Sequence, residues 1–312
     1  MLDVSSGQDY DKIELATAVR IEPLTSEFAP MAVNRNSTPN SQPEETLSVV
    51  NHRPYALPKR PWTMMQRWND LLFAHWPIPA AKLESLLPSG LQVDIFDQSA
   101  WVGVVPFWMD RVQLRGVPRI PGASRFPELN LRTYVRERNT NRAGVYFFSL
   151  EASNPLAVVL AKAVFRLPYH WARMSIKVRA EREFTYQSER LLSAKPVRFR
   201  AHYRGLGQIR AIDQSRPGTI EHFLTERYCL FTTNRGGQLL RGDIHHMPWP
   251  LEAAEAEIEL NDLPATYGIE IPHSAPLLHY SRELVVYLWS LDKVWGKLPV
   301  LEAAGVRTAE IV

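Results

Sequence analysis

The amino-acid sequence predicts a mainly β (α+β) fold: an antiparallel barrel or stacked sheets with a few peripheral helices. Many short strand-like runs follow one another at close spacing, helical segments are few, and strands and helices do not alternate as βαβ units. No internal repeat and no domain-splitting linker follows residue 60, so residues 58–312 form a single expected domain.

Residues 1–57 read as a disordered tail. The stretch 34–45 is polar, contains Pro39 and Pro43 and has no hydrophobic period, so it cannot bury enough surface to offset the entropy of ordering. The first dense aromatics are Trp62, Trp68, Phe73 and Trp76. A short amphipathic helix is expected over 80–87, with Leu83, Leu86 and Leu87 on one side and Pro88 and Gly90 closing it. Strands at 91–96 and 101–108 flank the turn Asp97-Gln98-Ser99. Residues 111–127 form a Pro/Gly-rich loop carrying Arg115, Arg119 and Arg125. Strands at 129–136 and 144–152 are joined by Asn139-Thr140-Asn141. Asn154 then caps a helix with Pro155 at its first position, running to about Arg166 and stopping before Pro168. Later strands are expected at 174–180, 182–188, 197–203, 227–233, 239–246, 255–260 and 283–291, with one helix at 219–225.

The 312 residues are 45% hydrophobic and 22% charged, with a net charge of +3 and no dense basic run. A nucleic-acid partner is therefore not expected. Cys229 is the single cysteine, which excludes an intrachain disulfide and a cysteine metal cluster and suits a reducing compartment. Asp3, Asp9 and Asp11 stand where a signal peptide would be basic and apolar. The longest apolar run, 156–165, is broken by Lys162 and is too short to span a bilayer. A soluble cytoplasmic protein without membrane contact is expected, and homo-oligomerisation stays open.

The segment 128–135 carries the most chemistry. Alternation along a strand puts Glu128, Asn130, Arg132 and Tyr134 on one face and Leu129, Leu131, Thr133 and Val135 on the other. Such a polar face is either solvated or lines a barrel interior where it orients a small polar ligand. Tyr169-His170 is expected in a loop after a helix and offers a proton donor and acceptor, or two packed rings with one hydrogen bond each. His245-His246 points to opposite faces of a strand and lacks metal-ligand spacing, so no metal is expected. No GxSxG, P-loop or dinucleotide glycine pattern is present, and no cofactor is expected.

Several ordered motifs lie between residues 62 and 289: Trp68-Asn69-Asp70-Leu71-Leu72-Phe73-Ala74-His75-Trp76, Val105-Pro106-Phe107, residues 128–135 and 144–152, Leu167-Pro168-Tyr169, Phe223-Leu224-Thr225-Glu226-Arg227-Tyr228, and His246 followed by Pro248-Trp249-Pro250-Leu251. Together they resemble the YqjF-like uncharacterised family of the acetoacetate decarboxylase-like superfamily. The resemblance implies an acetoacetate decarboxylase-like antiparallel β-barrel with helices around it. In the decarboxylases a lysine after a helix forms a Schiff base with the keto acid. The similar segment here is Pro168-Tyr169-His170-Trp171-Ala172, with Tyr169 at the lysine position. A phenol cannot form an imine, so that route is lost, while Glu128 matches the acid of the decarboxylase pocket.

Three functions follow as expectations. The first is a pocket for a small carboxylate or keto acid, with acid/base chemistry on a keto or hydroxy acid rather than imine-based decarboxylation. There Glu128, Tyr169 and His170 act as catalytic groups, while Arg132, Asn130, Tyr134 and Arg119 bind the substrate. The second is a non-catalytic ligand-binding or sensing domain, and the third a structural module without a ligand.

Overall fold

In the computed structural model, residues 43–118, 124–209, 216–234 and 236–294 are described. The elements in chain order are α1 (Pro43–Ser48), β1 (Met64–Ile78), α2 (Ala80–Glu84), β2 (Leu91–Val93), β3 (Ala100–Leu114), β4 (Phe126–Glu137), β5 (Ala143–Ala152), α3 (Pro155–Phe165), β6 (Tyr169–Ala180), β7 (Glu183–Arg190) and β8 (Arg198–Ile209). They continue as α4 (Ile220–Thr225), β9 (Cys229–Thr233), β10 (Leu239–His246), β11 (Leu251–Asn261), β12 (Leu277–Leu288) and β13 (Asp292–Lys293).

Two strands fork, and the forks define the architecture. One edge of β5 lies along β4, but its other edge is divided: Val145 and Tyr146 pair with β9, whereas Leu150, Glu151 and Ala152 pair with β6. One edge of β12 lies along β1, and its other edge meets β11 near Tyr280 and β10 near Tyr287. Between the forks run five strands, β5, β4, β3, β1 and β12. Continued through β6, β7, β8 and β11 they close a nine-stranded barrel. Continued through β9 and β10 they close a second ring of seven strands.

Strand alternation then sends successive residues of the shared sheet to two cores. Val102, Val104, Leu129 and Leu131 pack with Tyr186, Phe199 and Tyr280 in the nine-stranded interior. Val105, Phe107, Phe126 and Tyr134 pack with Leu230, Ile244 and Leu284 in the other. Consequently β4 is buried on both faces over almost its whole length. The polar face of residues 128–135 is thus internal, and its solvated reading is excluded.

The barrel is mainly antiparallel, as expected, with a local exception. β5 pairs in parallel with both β6 and β9, and α3 is the crossover between β5 and β6. The sequence pattern did not reveal this βαβ unit, because one crossover leaves no alternation to detect. The expected cap is present: Asn154 Oδ1 accepts from Ala157 N at 3.1 Å, Pro155 opens α3, and Arg166 ends it in the left-handed region at φ 49°.

The start of order needs correction. Residues 43–57 were assigned to the tail, yet they pack onto β10 and the end of β5. His245 hydrogen-bonds Thr46 O at 2.6 Å, Arg53 Nη1 donates to Ile244 O at 2.7 Å, and Ala143 N donates to Tyr55 Oη at 2.8 Å. A polar segment holds its place here through hydrogen bonds to partners distant in sequence, which leave no local hydrophobic period. Residues 1–42 lie outside the described residues.

Close approach of β5 and β9 depends on Gly144, where an added Cβ would lie 2.7 Å from the backbone oxygen of Cys229. Backbone cannot rotate away as a side chain can. Gly144→Ala is expected to lower stability by about 1–3 kcal/mol, seen as a lower urea midpoint with an unchanged slope.

Candidate functional site

Glu128 projects from β4 into the seven-stranded ring and is 3% exposed. Its backbone is fixed from the other core, where Tyr186 Oη donates to Glu128 O at 2.7 Å. Tyr169 arrives from the opposite side. The chain turns at Arg166 after α3, buries Leu167, and enters β6 with Tyr169 paired to Leu150. Tyr169 Oη donates to Glu128 Oε2 at 2.7 Å.

This pair stands at an apolar cavity of about 130 Å³. Its walls come from α3, the ends of β1 and β3, the segment after β3, and inward residues such as Leu150, Leu230 and Ile244. No Lys, Arg, His or Asp is among the described residues that line it. Burial therefore dominates the electrostatics. It pushes the Glu128 carboxyl up to about 8, against a smaller opposing effect of the Tyr169 hydrogen bond. The Tyr169 phenol is pushed up as well, by burial and then by the neighbouring carboxylate.

The other residues singled out from the sequence lie elsewhere. Arg132 and Tyr134 follow Glu128 on the same face of β4 but do not line the cavity. The Arg132 guanidinium lies over the Phe73 and Tyr134 rings, at 5.3 and 5.7 Å, and Nη2 donates to Leu224 O at 3.4 Å. No carboxylate pairs with it among the described residues, although it is 7% exposed. Tyr134 Oη is hydrogen-bonded to His75 Nε2 at 2.6 Å. Burial, with Arg132 close by, holds His75 well below its ordinary range. Asn130 Oδ1 is buried without a hydrogen-bond partner among the described residues.

His170 alternates with Tyr169 on β6 and is half-buried, paired in register with Glu151 rather than lining the cavity. Burial, Arg190 and Lys162 lower it to about 4. Arg119 lies outside the described residues. Among the described residues no group of three His, Cys, Asp or Glu side chains is placed to hold a metal ion, and no helix is long and apolar enough to cross a membrane.

A family model described as an uncharacterised conserved protein, DUF2071, matches residues 65–285. The chain belongs to that family. The uncharacterised protein YqjF of Bacillus subtilis (strain 168) is 43% identical over 238 residues, covering 76% of this chain and 95% of the relative. Among solved structures, an acetoacetate decarboxylase-like enzyme from Sphingomonas wittichii RW1 aligns with a TM-score of 0.51 at 12% identity, over 78% of this chain and 98% of that one. An acetoacetate decarboxylase from Legionella pneumophila aligns with a TM-score of 0.51 at 11% identity, over 82% and 98%. At such low identity the likeness establishes a shared acetoacetate decarboxylase-like fold.

Sequence reasoning missed the cavity wall formed by α3. The signal was present: apart from Lys162, residues 156–165 are apolar on every side, whereas a surface helix usually keeps a polar face.

The raised Glu128 carboxyl has a consequence for stability. Below about pH 4.5 the group is protonated folded or unfolded, and it imposes no pH-dependent cost. Between 4.5 and about 8 the unfolded chain releases the proton that the folded chain retains. Stability therefore falls as pH rises through this window, and the penalty levels off above it. Glu128→Gln is expected to be more stable than wild type at pH 9 by on the order of 2–5 kcal/mol. That difference shrinks towards pH 5, as paired urea titrations would measure.

Proposed function

We propose that the chain binds a small carbonyl or carboxylic acid compound at the Glu128–Tyr169 pair, which handles a proton without imine chemistry. The observation that supports this reading is the 2.7 Å hydrogen bond joining the two side chains at a mainly apolar cavity. A carboxyl with its midpoint near 8 is mostly protonated at neutral pH and can donate to a ligand oxygen. On giving up that proton, Glu128 becomes a carboxylate that already accepts from Tyr169. Perturbed carboxyls enclosed in cavities are frequent at functional sites. No lysine lines the cavity among the described residues, and a phenol forms no Schiff base.

A second reading has its own supporting observation. Among the described residues Arg132 is a buried cation without a carboxylate partner, and Asn130 beside it has an oxygen without a hydrogen-bond partner. Burying an uncompensated charge is costly. A small keto acid reaching past Glu128 to Arg132 would neutralise that charge, with the guanidinium clamping its carboxylate. If the same pocket binds without turnover, the protein is a ligand-binding or sensing domain.

Thermal unfolding with a panel of ketones, carboxylic acids, 2-oxo acids and 2-hydroxy acids tests the proposal, since a ligand specific to the folded state raises the midpoint. At least one member should raise it in wild type, and less in Tyr169→Phe. Failure of every member would sink the reading, as would covalent labelling by borohydride in the presence of a bound ketone. Arg132→Ala separates the two readings: it abolishes keto acid binding only if the ligand reaches the guanidinium.

A further inference from the structure

The exposure of the cavity's lining changes steadily from one end to the other. Glu128, Leu150 and Leu230 are almost wholly buried, while Val117, Leu156 and Val164, which also line the cavity, are 40–44% exposed. These three side chains therefore form its mouth, and Glu128 and Tyr169 belong to its inner wall. Val159, 63% exposed on α3, lies outside this lining. The exposed residues of the lining, Val117, Pro118, Leu156 and Val164, are apolar where contact with solvent would favour polar groups. Such a contiguous apolar surface around an opening calls for an apolar partner. Inside, no cation lines the cavity among the described residues to meet a ligand with a fixed negative charge.

We propose that the cavity takes an amphiphile, with its carbonyl or carboxylic acid head at Glu128 and Tyr169 and an unbranched aliphatic tail leaving past Leu156, Val164 and Val117. This deepens the first reading of the site and rests on it. The tail would cover the apolar mouth, and the head would meet donors that need no countercharge. Short polar keto acids would leave the mouth uncovered.

The test uses the full chain and a series of 2-alkanones from butanone to decanone, with pyruvate as the short oxo acid, followed by calorimetry at pH 6.5. Affinity should rise about fourfold per methylene, the factor expected for burying each group, and level off once the tail clears the mouth. Val164→Asp should weaken decanone at least tenfold and butanone far less. Val159→Glu, on the helix but outside the cavity lining, should leave the series as in wild type and so controls for the fold of α3. Affinity that stays flat along the series, or pyruvate binding more tightly than every alkanone, overturns the inference while leaving a ligand at Glu128. Absence of binding by every compound removes both this inference and the reading beneath it.

Discussion

Because β5 and β12 each divide their outer edge between two neighbours, the five strands from β5 to β12 carry a ring on either side. Every side chain of β4 except Arg136, near its end, must then fit one interior or the other. This constraint turns an ordinary alternating strand into one whose polar residues from Glu128 to Tyr134 are almost wholly buried. Glu128, Asn130, Arg132 and Tyr134 share a dry interior and must find partners there or remain unsatisfied. Glu128 finds Tyr169, and Tyr134 finds His75, whereas Asn130 Oδ1 and Arg132 Nε find none among the described residues. The chemistry of the site is a consequence of the double burial of one strand.

The two interiors have different roles. In the nine-stranded barrel, polar groups are tied off against each other. Asp70 accepts from Trp108 Nε1 at 2.8 Å and Tyr280 Oη at 2.6 Å, while Glu151 is held by Arg190 and Ser149. Tyr186 reaches from this core to grip the carbonyl of Glu128. The seven-stranded ring, by contrast, is incompletely packed and incompletely paired: it holds the cavity, the high-pKa carboxyl and the unmatched guanidinium. A rigid barrel thus supports an adjoining compartment that keeps room and unused hydrogen-bonding capacity, the arrangement required for positioned binding groups.

What was legible in the sequence follows from the range of the interactions concerned. Alternation places Glu128 and Arg132 on one face, because direction along a strand is local, whereas Tyr169 and His170, read together in a loop, fall on successive positions of β6. The α3 cap at Asn154 and Pro155 was legible for the same reason. The forks were not, since parallel pairing of β5 with β6 and β9 depends on strands brought together by the whole fold. A bulge between Leu131 and Arg132 in the β4–β5 pairing also breaks the alternation across Phe147 and Phe148. Residues 43–57 escaped because their order rests on His245, Ile244 and Ala143, each far away in sequence. The family motifs led to the fold and to the Glu128–Tyr169 pair, but not to the distance between Arg132 and the cavity.

The central claim is that Glu128 keeps its proton through neutral pH because burial at the inner wall of its cavity disfavours the carboxylate. Carbon-13 NMR of the glutamate side-chain carboxyls, with Glu128→Gln to assign the signal, reads this directly. The account predicts that one glutamate titrates with a midpoint near 8 and that its signal disappears in the variant. A Glu128 midpoint in the ordinary range near 4.5 would mean that water reaches the carboxyl and would contradict the account.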